Sequence, residues 1–441
     1  MHGKKSAMAV DSELLDVRVI DLTHDGQGVA DLGERRVFVP GALPGELVRI
    51  APRRRRRQYH EADLIELLEP SPMRVEPPCE YFGLCGGCAV QHLSYEAQVS
   101  FKQKIVEEAL SRIASAQPDL WLPPILGPEW HYRRRAHLSV SYVKGKERVL
   151  VGFKERATRD VMDLAACRVL VEPLNGLPGV LSEGIGKSSL HRRLPQVELV
   201  AGEDACAIVL RVLDEPTKND LALFNDIASQ WAIDVYLQRG GPGSVLPLNP
   251  KTTRQLSYKL DDFDVTLRFN PIDFIQVNAR VNAALVRQAI HLLQIKPTDR
   301  VLDLYCGIGN FSLPLARHAS EVLGVEGDAG LVARAASNAR LNGLNNTSFV
   351  AVDLTQSEWS FMSESWDIVL IDPPRSGAHS IVQQMSSVAP RRIAYVSCHP
   401  ATLARDTKDL MSQGYRLTVA GIADMFPHTH HVEAIAIFER Q

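Results

Sequence analysis

The second half of the sequence alternates short apolar segments with amphipathic ones, and this alternation limits the possible folds more than any other feature. From Asn270 onward, five apolar segments have the character of β-strands, and several lead into stretches with helical periodicity. In order, they contain VLDLY, VLGVE, FVAVD, IVLID and IAYVS. This alternation predicts a doubly wound α/β domain, a parallel sheet covered by helices on both faces. Ligands of such sheets bind beyond the carboxyl ends of the strands, so polar residues there become candidate site residues.

Acidic residues end the first three predicted strands, and two glycines follow the first of them. Gly307 and Gly309, just after Asp303, allow a tight turn and a close approach of the backbone to a ligand. Glu326 ends the second strand, where a carboxylate can accept hydrogen bonds from both ribose hydroxyls of an adenosine. Asp353 ends the third strand, within reach of an adenine edge. The pattern predicts a nucleoside site, and it resembles the cofactor motifs of class I S-adenosylmethionine-dependent methyltransferases.

The fourth and fifth strands end in residues suited to covalent chemistry. In the sequence DPPRSG two prolines fix the backbone, which holds Asp372 and Arg375 at the site. Cys398 follows the fifth strand in the sequence SCHP and is the candidate nucleophile. A neighbouring cation such as Arg375 is expected to lower the pKa of this thiol. Glu433 opens the last predicted strand of the chain.

A thiol and a carboxylate beside a methyl donor suit the methylation of uracil at C5. This carbon is too weak a nucleophile to take a methyl group from a sulfonium, but attack by the Cys398 thiolate at C6 makes it electron-rich. Glu433 is the predicted base that removes the C5 proton before the thiolate is expelled. Asp372 and Arg375 are predicted to orient the ring or to stabilise negative charge at its O4 and O2.

The sequences DPPRSG, SCHP and HTHHVE resemble the signatures of RNA uracil-C5 methyltransferases. His399 departs from the pattern, since Asn is common there, but we expect the nucleophile to be retained. Cys306 is a rival nucleophile, although its place in the glycine loop favours packing against the cofactor. The resemblance implies that S-adenosylmethionine is contacted by Gln276, Tyr305, Asn310, Glu326, Asp353 and Asp372.

Four further cysteines predict a metal centre. Cys79, Cys85 and Cys88 have the spacing C-x5-C-x2-C, and Cys167 is the candidate fourth ligand. Four thiolates without histidine suit either a [4Fe–4S] cluster or structural zinc, and the spacing leaves both possible. The histidines near the end of the chain suggest a second metal site, but substrate contact is the favoured interpretation; they are His428, His430 and His431.

The N-terminal part of the chain contains short alternating strands separated by turn sequences such as HDGQG and PGALPGE. We predict a flexible tail over residues 1–11 and a small closed barrel of the oligonucleotide-binding kind over residues 12–70. The run Arg53 to Arg57 is either a phosphate-binding edge or a solvated turn. Residues 71–268 mix strand and helix patterns and predict an α+β middle domain, and residues 269–441 form the predicted methyltransferase domain.

The barrel resembles TRAM domains, and its combination with the cysteine pattern and the methyltransferase domain resembles 23S ribosomal RNA uracil-C5 methyltransferases. The resemblance implies a structural [4Fe–4S] cluster, a flipped-out target base and uridine 1939 as the expected target. The sequence WHYRRRAH, from Trp130 to His137, is predicted to supply phosphate contacts and stacking, or else to be an exposed basic strand.

Three alternatives stay open at this point. Another 23S uridine or a tRNA uridine could be the target, but we take the barrel and the cysteines to disfavour tRNA. The third alternative is an iron–sulfur radical enzyme or a redox-sensing RNA-binding protein; a radical S-adenosylmethionine enzyme would need the spacing C-x3-C-x2-C, which the chain lacks.

The net charge of −3 over 441 residues gives no global signal for nucleic acid. Because no long apolar run or signal peptide is evident, we expect a cytoplasmic protein, and we expect it to be a monomer.

Overall fold

The structure, a computed structural model, describes residues 14–55, 59–356 and 359–441. The predicted tail, residues 1–11, lies outside the described residues, as do Arg56 and Arg57 of the arginine run. Among the described residues, no helix combines the length and the apolar character needed to cross a membrane. The chain divides into two compact units, Met1–Ser100 with His428–His430, and Phe101–Pro427 with His431–Gln441.

Five strands of the first unit form a closed barrel: β1 (Leu15–Leu22), β2 (Gln27–Leu32), β3 (Arg35–Pro40), β4 (Leu47–Arg55) and β5 (Tyr59–Glu69). The order is β1-β2-β3-β5-β4, and β4 pairs with β1 to close it. Only β3 and β5 pair in parallel. Alternate residues of these strands are buried and mostly apolar, as with Val17 and Val19, and they form the barrel core that the alternation in the sequence predicted. The predicted barrel is confirmed.

The middle of the chain forms a mixed sheet with the strand order β12-β11-β10-β9-β7-β8, which confirms the α+β prediction. Only β10 and β11 pair in parallel. Its leucine- and valine-rich core is covered by α3 and α4. In chain order the elements are α1 (Tyr95–Ala109), β6 (Leu120–Trp121), β7 (Arg135–Val143), β8 (Arg148–Gly152), α2 (Glu172–Asn175), α3 (Leu177–Lys187), β9 (Gln196–Ala201), β10 (Cys206–Arg211), α4 (Lys218–Trp231), β11 (Asp234–Gln238) and β12 (Val245–Pro247).

The C-terminal part contains the hairpin β13–β14 and an eight-stranded sheet with the order β17-β16-β15-β18-β19-β21-β20-β6. The elements are β13 (Leu256–Leu260), β14 (Val265–Phe269), α5 (Ala279–Leu293), β15 (Arg300–Leu304), α6 (Ser312–Ala316), β16 (Glu321–Glu326), α7 (Ala329–Leu341), β17 (Thr347–Ala351), β18 (Ile368–Ile371), α8 (His379–Val382), α9 (Met385–Val388), β19 (Arg392–Ser397), α10 (Pro400–Ser412), β20 (Tyr415–Ala423) and β21 (Glu433–Arg440). Strands β15 to β19 are parallel, and this confirms the predicted doubly wound core.

The sheet differs from the prediction at one edge. Strand β21 runs antiparallel between β19 and β20, because the connection from β20 is short and contains no crossover helix. The eighth strand, β6, pairs with β20 although it comes from the region predicted to be the middle domain. The parallel strands nevertheless all end at one edge of the sheet, which is where the candidate residues lie.

Candidate active site

Cys398 occupies the turn between β19 and α10. The strand is fully buried from Ile393 to Val396, whereas Cys398 is half-buried. Helix α10 begins at Pro400, and His399 caps it, since its Nδ1 accepts a hydrogen bond from the Thr402 amide at 3.4 Å. Asn is a preferred residue at this cap position, so His399 takes over the role that Asn commonly has. The departure in the sequence therefore leaves the turn that presents Cys398 intact.

Two carboxyl groups lie near enough to Cys398 to shift the pKa of its thiol. Asp372 directly follows β18, the neighbour of β19, and Glu433 begins β21, whose Ala434 pairs with Ser397. Burial raises the pKa of Asp372 to about 7. Burial, together with the charge of Asp372, raises the pKa of Glu433 well above its usual range. Each carboxyl group therefore holds a proton up to a higher pH than an exposed carboxyl group does.

The thiol of Cys398 is held in its neutral form. Burial raises its pKa to about 11, and the nearby charges of Glu433 and Asp372 add to the increase. Arg375 lowers the pKa, as the sequence predicted, but its effect is outweighed. The predicted effect of Arg375 is therefore confirmed in direction, although the net shift is upward. Because the thiolate is the reactive form, Cys398 needs a change in its surroundings to become a nucleophile.

The segment after Asp372 is fastened to α10 through a buried carboxylate. Asp406 is fully buried and accepts hydrogen bonds from the Tyr395 hydroxyl at 2.6 Å and the Ala378 amide at 2.8 Å. Gly377 has a φ of +77°, and a Cβ there would lie 2.7 Å from an Asp406 oxygen. Only glycine fits so close to α10. The position of the backbone after Asp372 is therefore fixed against α10, the helix that follows Cys398.

The predicted substrate-contact residue Arg375 is exposed and pairs with a histidine. Its Nη2 lies 2.8 Å from Nδ1 of His431, two residues before Glu433. In the other unit, Nδ1 of His428 lies 3.3 Å from Nε2 of Gln98. Two of the three histidines thus have hydrogen-bond roles, which favours the non-metal interpretation of this segment.

The turn after β15, which contains Gly307 and Gly309 and is called the glycine loop here, is hydrogen-bonded to Glu326. This carboxylate accepts hydrogen bonds from the amides of Gly307 at 3.1 Å and Gly327 at 2.7 Å. Gly309 has a φ of +95°, and a Cβ there would collide with Leu313 at 2.0 Å. Tyr305 also has a positive φ, 65°, which is uncommon for an aromatic residue and sets the direction of the loop. The carboxylate that was predicted to bind ribose thus also fixes the loop.

Asp303 lies beneath this loop and is fully buried. The hydroxyl of Ser312 donates a hydrogen bond to one carboxylate oxygen, and the other has no partner among the described residues. Burial is the main reason that the pKa of Asp303 is raised to about 8. A second, unused oxygen in a buried carboxyl group is a feature typical of a functional site.

Cys306, the rival nucleophile, is packed inside the domain. It is buried, and a Cβ on Gly324 of β16 would lie 2.9 Å from its Sγ. Burial raises the pKa of its thiol well above the usual value. The packing interpretation of Cys306 is therefore favoured over attack on a substrate.

Asn310 and Gln276 are held by residues from other parts of the same unit. The Asn310 side-chain oxygen accepts from the Tyr258 hydroxyl at 2.9 Å and from Asn282 at 3.0 Å, and its amide group donates back to Asn282 at 3.0 Å. Gln276 is buried, and its carbonyl oxygen accepts from Arg134 Nε at 2.8 Å. The side chain of Asn310 and the backbone of Gln276 are thus held in place before any ligand binds.

Asp353 lies two residues beyond the end of β17 rather than at its tip, and it is exposed. The Thr355 hydroxyl and amide donate to its Oδ1 at 2.7 and 2.9 Å, and these hydrogen bonds lower its pKa. Its charge is therefore retained. Since parallel strands share their carboxyl edge, the following residues all lie at that edge: Tyr305, Glu326, Asp353, Asp372 and Cys398.

The cysteines predicted to bind metal lie in both units. Cys79, Cys85 and Cys88 belong to turns of the first unit, and Cys167 belongs to the second. None of the seven cysteines, all within the described residues, forms a disulfide. The Gly87 amide donates to Cys85 Sγ at 3.4 Å, an interaction that suits a thiolate ligand.

A different cluster of metal-binding residue types is present at the edge of α10. Among the described residues, one set of three such side chains has ligand atoms within 4.8 Å of one another, namely His379, Asp406 and Asp409. Asp406 already accepts hydrogen bonds from Tyr395 and Ala378, so this set has a structural explanation without a metal.

The arginines of the sequence WHYRRRAH are not an exposed basic strand. Arg134 and Arg135 are only 5% and 9% exposed, and Arg135 Nη2 donates to Glu198 at 3.1 Å. These two side chains point into the domain, so the prediction that they contact RNA phosphates is wrong. The sequence gives no sign of the reason, which is that both guanidinium groups donate to backbone carbonyls of the loop around Gln276.

Phe274 is a feature that the sequence analysis missed. It is 67% exposed, the largest exposure among the large apolar residues in the described part of the chain, and it lies two residues before Gln276. An exposed aromatic ring is a common stacking platform for nucleic-acid bases. The sequence feature that could have identified it is an aromatic residue in the segment NPIDFIQVN, which also contains the predicted cofactor residue Gln276.

Comparisons with known proteins agree with this geometry. The family model for tRNA (uracil-5-)-methyltransferase matches residues 94–441, and a model for the TRAM domain of tRNA (uracil(54)-C(5))-methyltransferase matches residues 15–73. A Xanthomonas axonopodis protein named 23S rRNA (uracil(1939)-C(5))-methyltransferase RlmD is 47% identical over 429 residues, 96% of each chain. A protein of the same name from Methylococcus capsulatus is 45% identical and covers 100% of this chain and 99% of its own.

The comparison with solved structures includes one from an archaeon. The crystal structure of Pyrococcus abyssi tRNA (uracil-54, C5)-methyltransferase in complex with S-adenosyl-L-homocysteine has a TM-score of 0.75 and 26% identity. It covers 96% of this chain and 100% of its own. A tRNA enzyme thus matches nearly the whole chain, barrel included, so our argument that the barrel disfavours tRNA was wrong. By its sequence and its fold, this chain belongs to the tRNA (uracil-5-)-methyltransferase family and carries a TRAM domain.

Proposed function

We propose that this protein is a 23S rRNA uracil-C5 methyltransferase that modifies uridine 1939 and uses S-adenosylmethionine as methyl donor. The observation that carries the proposal is the placement of Cys398 beside Asp372 and Glu433 at the carboxyl edge of a methyltransferase sheet. The RlmD relatives, at 45–47% identity over nearly the whole chain, support the choice of RNA and of position.

Cys398 attacks C6 of the flipped-out uracil, and the electron pair of the C5–C6 double bond moves toward O4. The thiol proton has to leave first, because the pKa of about 11 keeps it in place in the free protein. The ionised member of the Asp372 and Glu433 pair is the acceptor within reach. Arg375, which lowers the pKa of the thiol, stabilises the negative charge that develops.

When bound, S-adenosylmethionine supplies a methyl group activated by the positive sulfonium. After C5 has accepted that group, Glu433 in its ionised form removes the C5 proton. The electrons of the broken C–H bond restore the C5–C6 double bond, and the sulfur of Cys398 leaves C6. The products are 5-methyluridine and a regenerated enzyme, and the base must release its proton before the next cycle.

The cofactor residues have distinct roles in this proposal. Glu326 binds the ribose hydroxyls, and Asp353 reaches the adenine edge. Asp372 and Tyr305 line the methionine part of the site, where their strands end. Gln276, whose backbone carbonyl is held by Arg134, and Asn310, whose side chain is held by Tyr258, complete the walls.

A [4Fe–4S] cluster held by thiolates completes the proposed cofactor set; its ligands are Cys79, Cys85, Cys88 and Cys167. The all-cysteine donor set, the absence of disulfides among these described residues and the amide-to-sulfur bond at Cys85 support it. The cluster would stabilise the fold, since no step of the reaction requires electron transfer.

RNA binding is divided among three parts of the chain, residues 12–70, 71–268 and 269–441. The barrel supplies a strand surface of the kind that binds oligonucleotides, and its exposed Arg53 begins the arginine run. Phe274 stacks on a base next to the target. We expect the enzyme to act as a monomer in the cytoplasm.

A tRNA uridine is the second candidate substrate, because the Pyrococcus abyssi enzyme matches nearly the whole chain. The test is an in vitro assay with 23S rRNA fragments and tRNA transcripts, with the product nucleotide mapped. We expect methylation of 23S rRNA at uridine 1939 and loss of turnover in Cys398→Ala with cofactor binding retained. Methylation of tRNA alone would contradict the choice of substrate, and residual turnover in Cys398→Ala would contradict the choice of nucleophile.

A further inference from the structure

Arg134 is a buried cation without a carboxylate bound to its guanidinium among the described residues. It lies just before β7 of the middle sheet, is 5% exposed, and burial lowers its pKa. A buried charge is costly unless its surroundings compensate it, so a residue of this kind calls for an explanation. Its Nη2 has no hydrogen-bond partner within the described residues, which adds to the cost.

The backbone and side chain of Arg134 hold the loop that contains Gln276. Its amide donates to the Val277 carbonyl at 2.9 Å, and its Nε donates to the Gln276 carbonyl at 2.8 Å. On the other side, the amide of Ala201 in β9 donates to the Arg134 carbonyl at 2.8 Å. Arg134 therefore helps to fasten the loop to the middle sheet, together with Arg135, whose Nη2 donates to the Ile272 carbonyl at 3.0 Å.

The guanidinium also reaches the glycine loop through an aromatic ring. Its Cζ lies 4.3 Å from the centroid of Tyr258, a distance typical of a cation–π contact. The Tyr258 hydroxyl donates to Asn310 Oδ1 at 2.9 Å, and Asn282 exchanges two hydrogen bonds with Asn310. The amide of Asn310 consequently has one fixed orientation, with one N–H left for another acceptor.

We infer that Arg134 and Tyr258 are positioning residues for S-adenosylmethionine, acting through Gln276 and Asn310. The inference rests on the proposed function, because it assumes that these two residues contact the cofactor. It adds that cofactor affinity is set in part by the middle region of the chain. Arg134, which the sequence suggested would contact RNA phosphates, then acts on the methyl donor instead.

The test measures cofactor binding without RNA, using isothermal titration of S-adenosylhomocysteine into the full-length protein. We expect Tyr258→Phe, which keeps the ring and removes one hydrogen bond, to weaken binding about fivefold to tenfold. Arg134→Met is expected to weaken it by more than tenfold, and Arg134→Lys, which can still donate to Gln276 but cannot stack as a plane, by an intermediate factor. Arg133→Met, a change at the half-buried neighbour, serves as the matched control with unchanged affinity.

Steady-state kinetics separate positioning from general damage to the fold. We expect the KM for S-adenosylmethionine to rise in Tyr258→Phe and in both Arg134 variants, while the KM for RNA stays within about twofold. If the Arg134 variants do not fold, Tyr258→Phe alone decides the question. Wild-type affinity in a folded Tyr258→Phe protein would overturn the inference, whereas failure of the wild-type protein to bind S-adenosylhomocysteine would overturn the proposed function itself.

Discussion

The Cys398 thiol is expected to react unusually slowly in the protein without RNA. Its pKa is raised to about 11, compared with a usual value of 9.0, mainly by burial and then by Glu433 and Asp372. A difference of two units corresponds to a thiolate fraction about a hundredfold smaller near neutral pH. Because the thiolate is the form that reacts, alkylation at pH 7.5 is expected to be about a hundredfold slower than for an ordinary cysteine.

The assay is alkylation with iodoacetamide over pH 7 to 11, followed by mass spectrometry of the peptide that contains Cys398. A thiol with this pKa shows a rate that rises about tenfold per pH unit until the pH approaches 11. Mass spectrometry is needed because six other cysteines are present.

Two variants test the cause of the raised pKa. Glu433→Gln removes a charge that raises the pKa, so we expect faster alkylation at a given pH, and Arg375→Gln removes a charge that lowers it, so we expect slower alkylation. Arg340→Gln, a change at an exposed residue of α7, is the control. A rate that no longer rises above pH 8 would refute the reasoning, because the thiol would then be ionised already. The opposite order of the two variants would also refute it, because the charges of Glu433 and Arg375 would then not act on the thiol as described.

Three further predictions concern turnover, stability and the cofactor. Glu433→Gln, which leaves no base for the C5 proton, is expected to accumulate a covalent RNA adduct visible on a denaturing gel; an adduct-free variant with normal turnover would remove Glu433 from that role. Lys102→Met leaves Asp424 buried without its partner, since both side chains are fully buried and lie 2.6 Å apart. We expect a loss of about 3–5 kcal/mol in the free energy of unfolding by denaturant, and a loss below about 1 kcal/mol would show that the pair is dispensable. Cys85→Ser is expected to abolish the visible absorbance of an iron–sulfur cluster in protein purified without oxygen, whereas Cys206→Ser is expected to retain it; an unchanged spectrum would exclude Cys85 as a ligand.

The fold could be predicted where local pattern and tertiary structure agree. The alternation of inward residues such as Val17 and Val19 gave the barrel, and the apolar runs of β15, β16, β18 and β19 gave the parallel core. Strand β6 could not be predicted, because two residues carry no detectable periodicity and their pairing with β20 is made far along the chain. The apolar composition of β21 is that of a parallel strand. The one feature of the sequence that indicates an antiparallel strand is that no helix separates it from β20.

The candidate site followed from chemistry at strand ends, but its electrostatics did not. The sequence indicated that Arg375 lies near Cys398, yet the balance between one cation, two carboxyl groups and burial depends on distances that a sequence does not contain. Arg134 shows the same limit, because three consecutive arginines look like a nucleic-acid contact until the burial of each side chain is known. The role of His399 could have been inferred, since a residue before a helix-initiating proline is a cap position.

The pairing of β6 with β20 has a practical consequence for anyone who wants to isolate the catalytic half. A fragment that begins at residue 269 would lose β6 and leave the outer side of β20 with unsatisfied amides and carbonyls. Open strand edges of this sort recruit other chains, so such a fragment is expected to self-associate unless the stretch around Leu120–Trp121 is supplied as well.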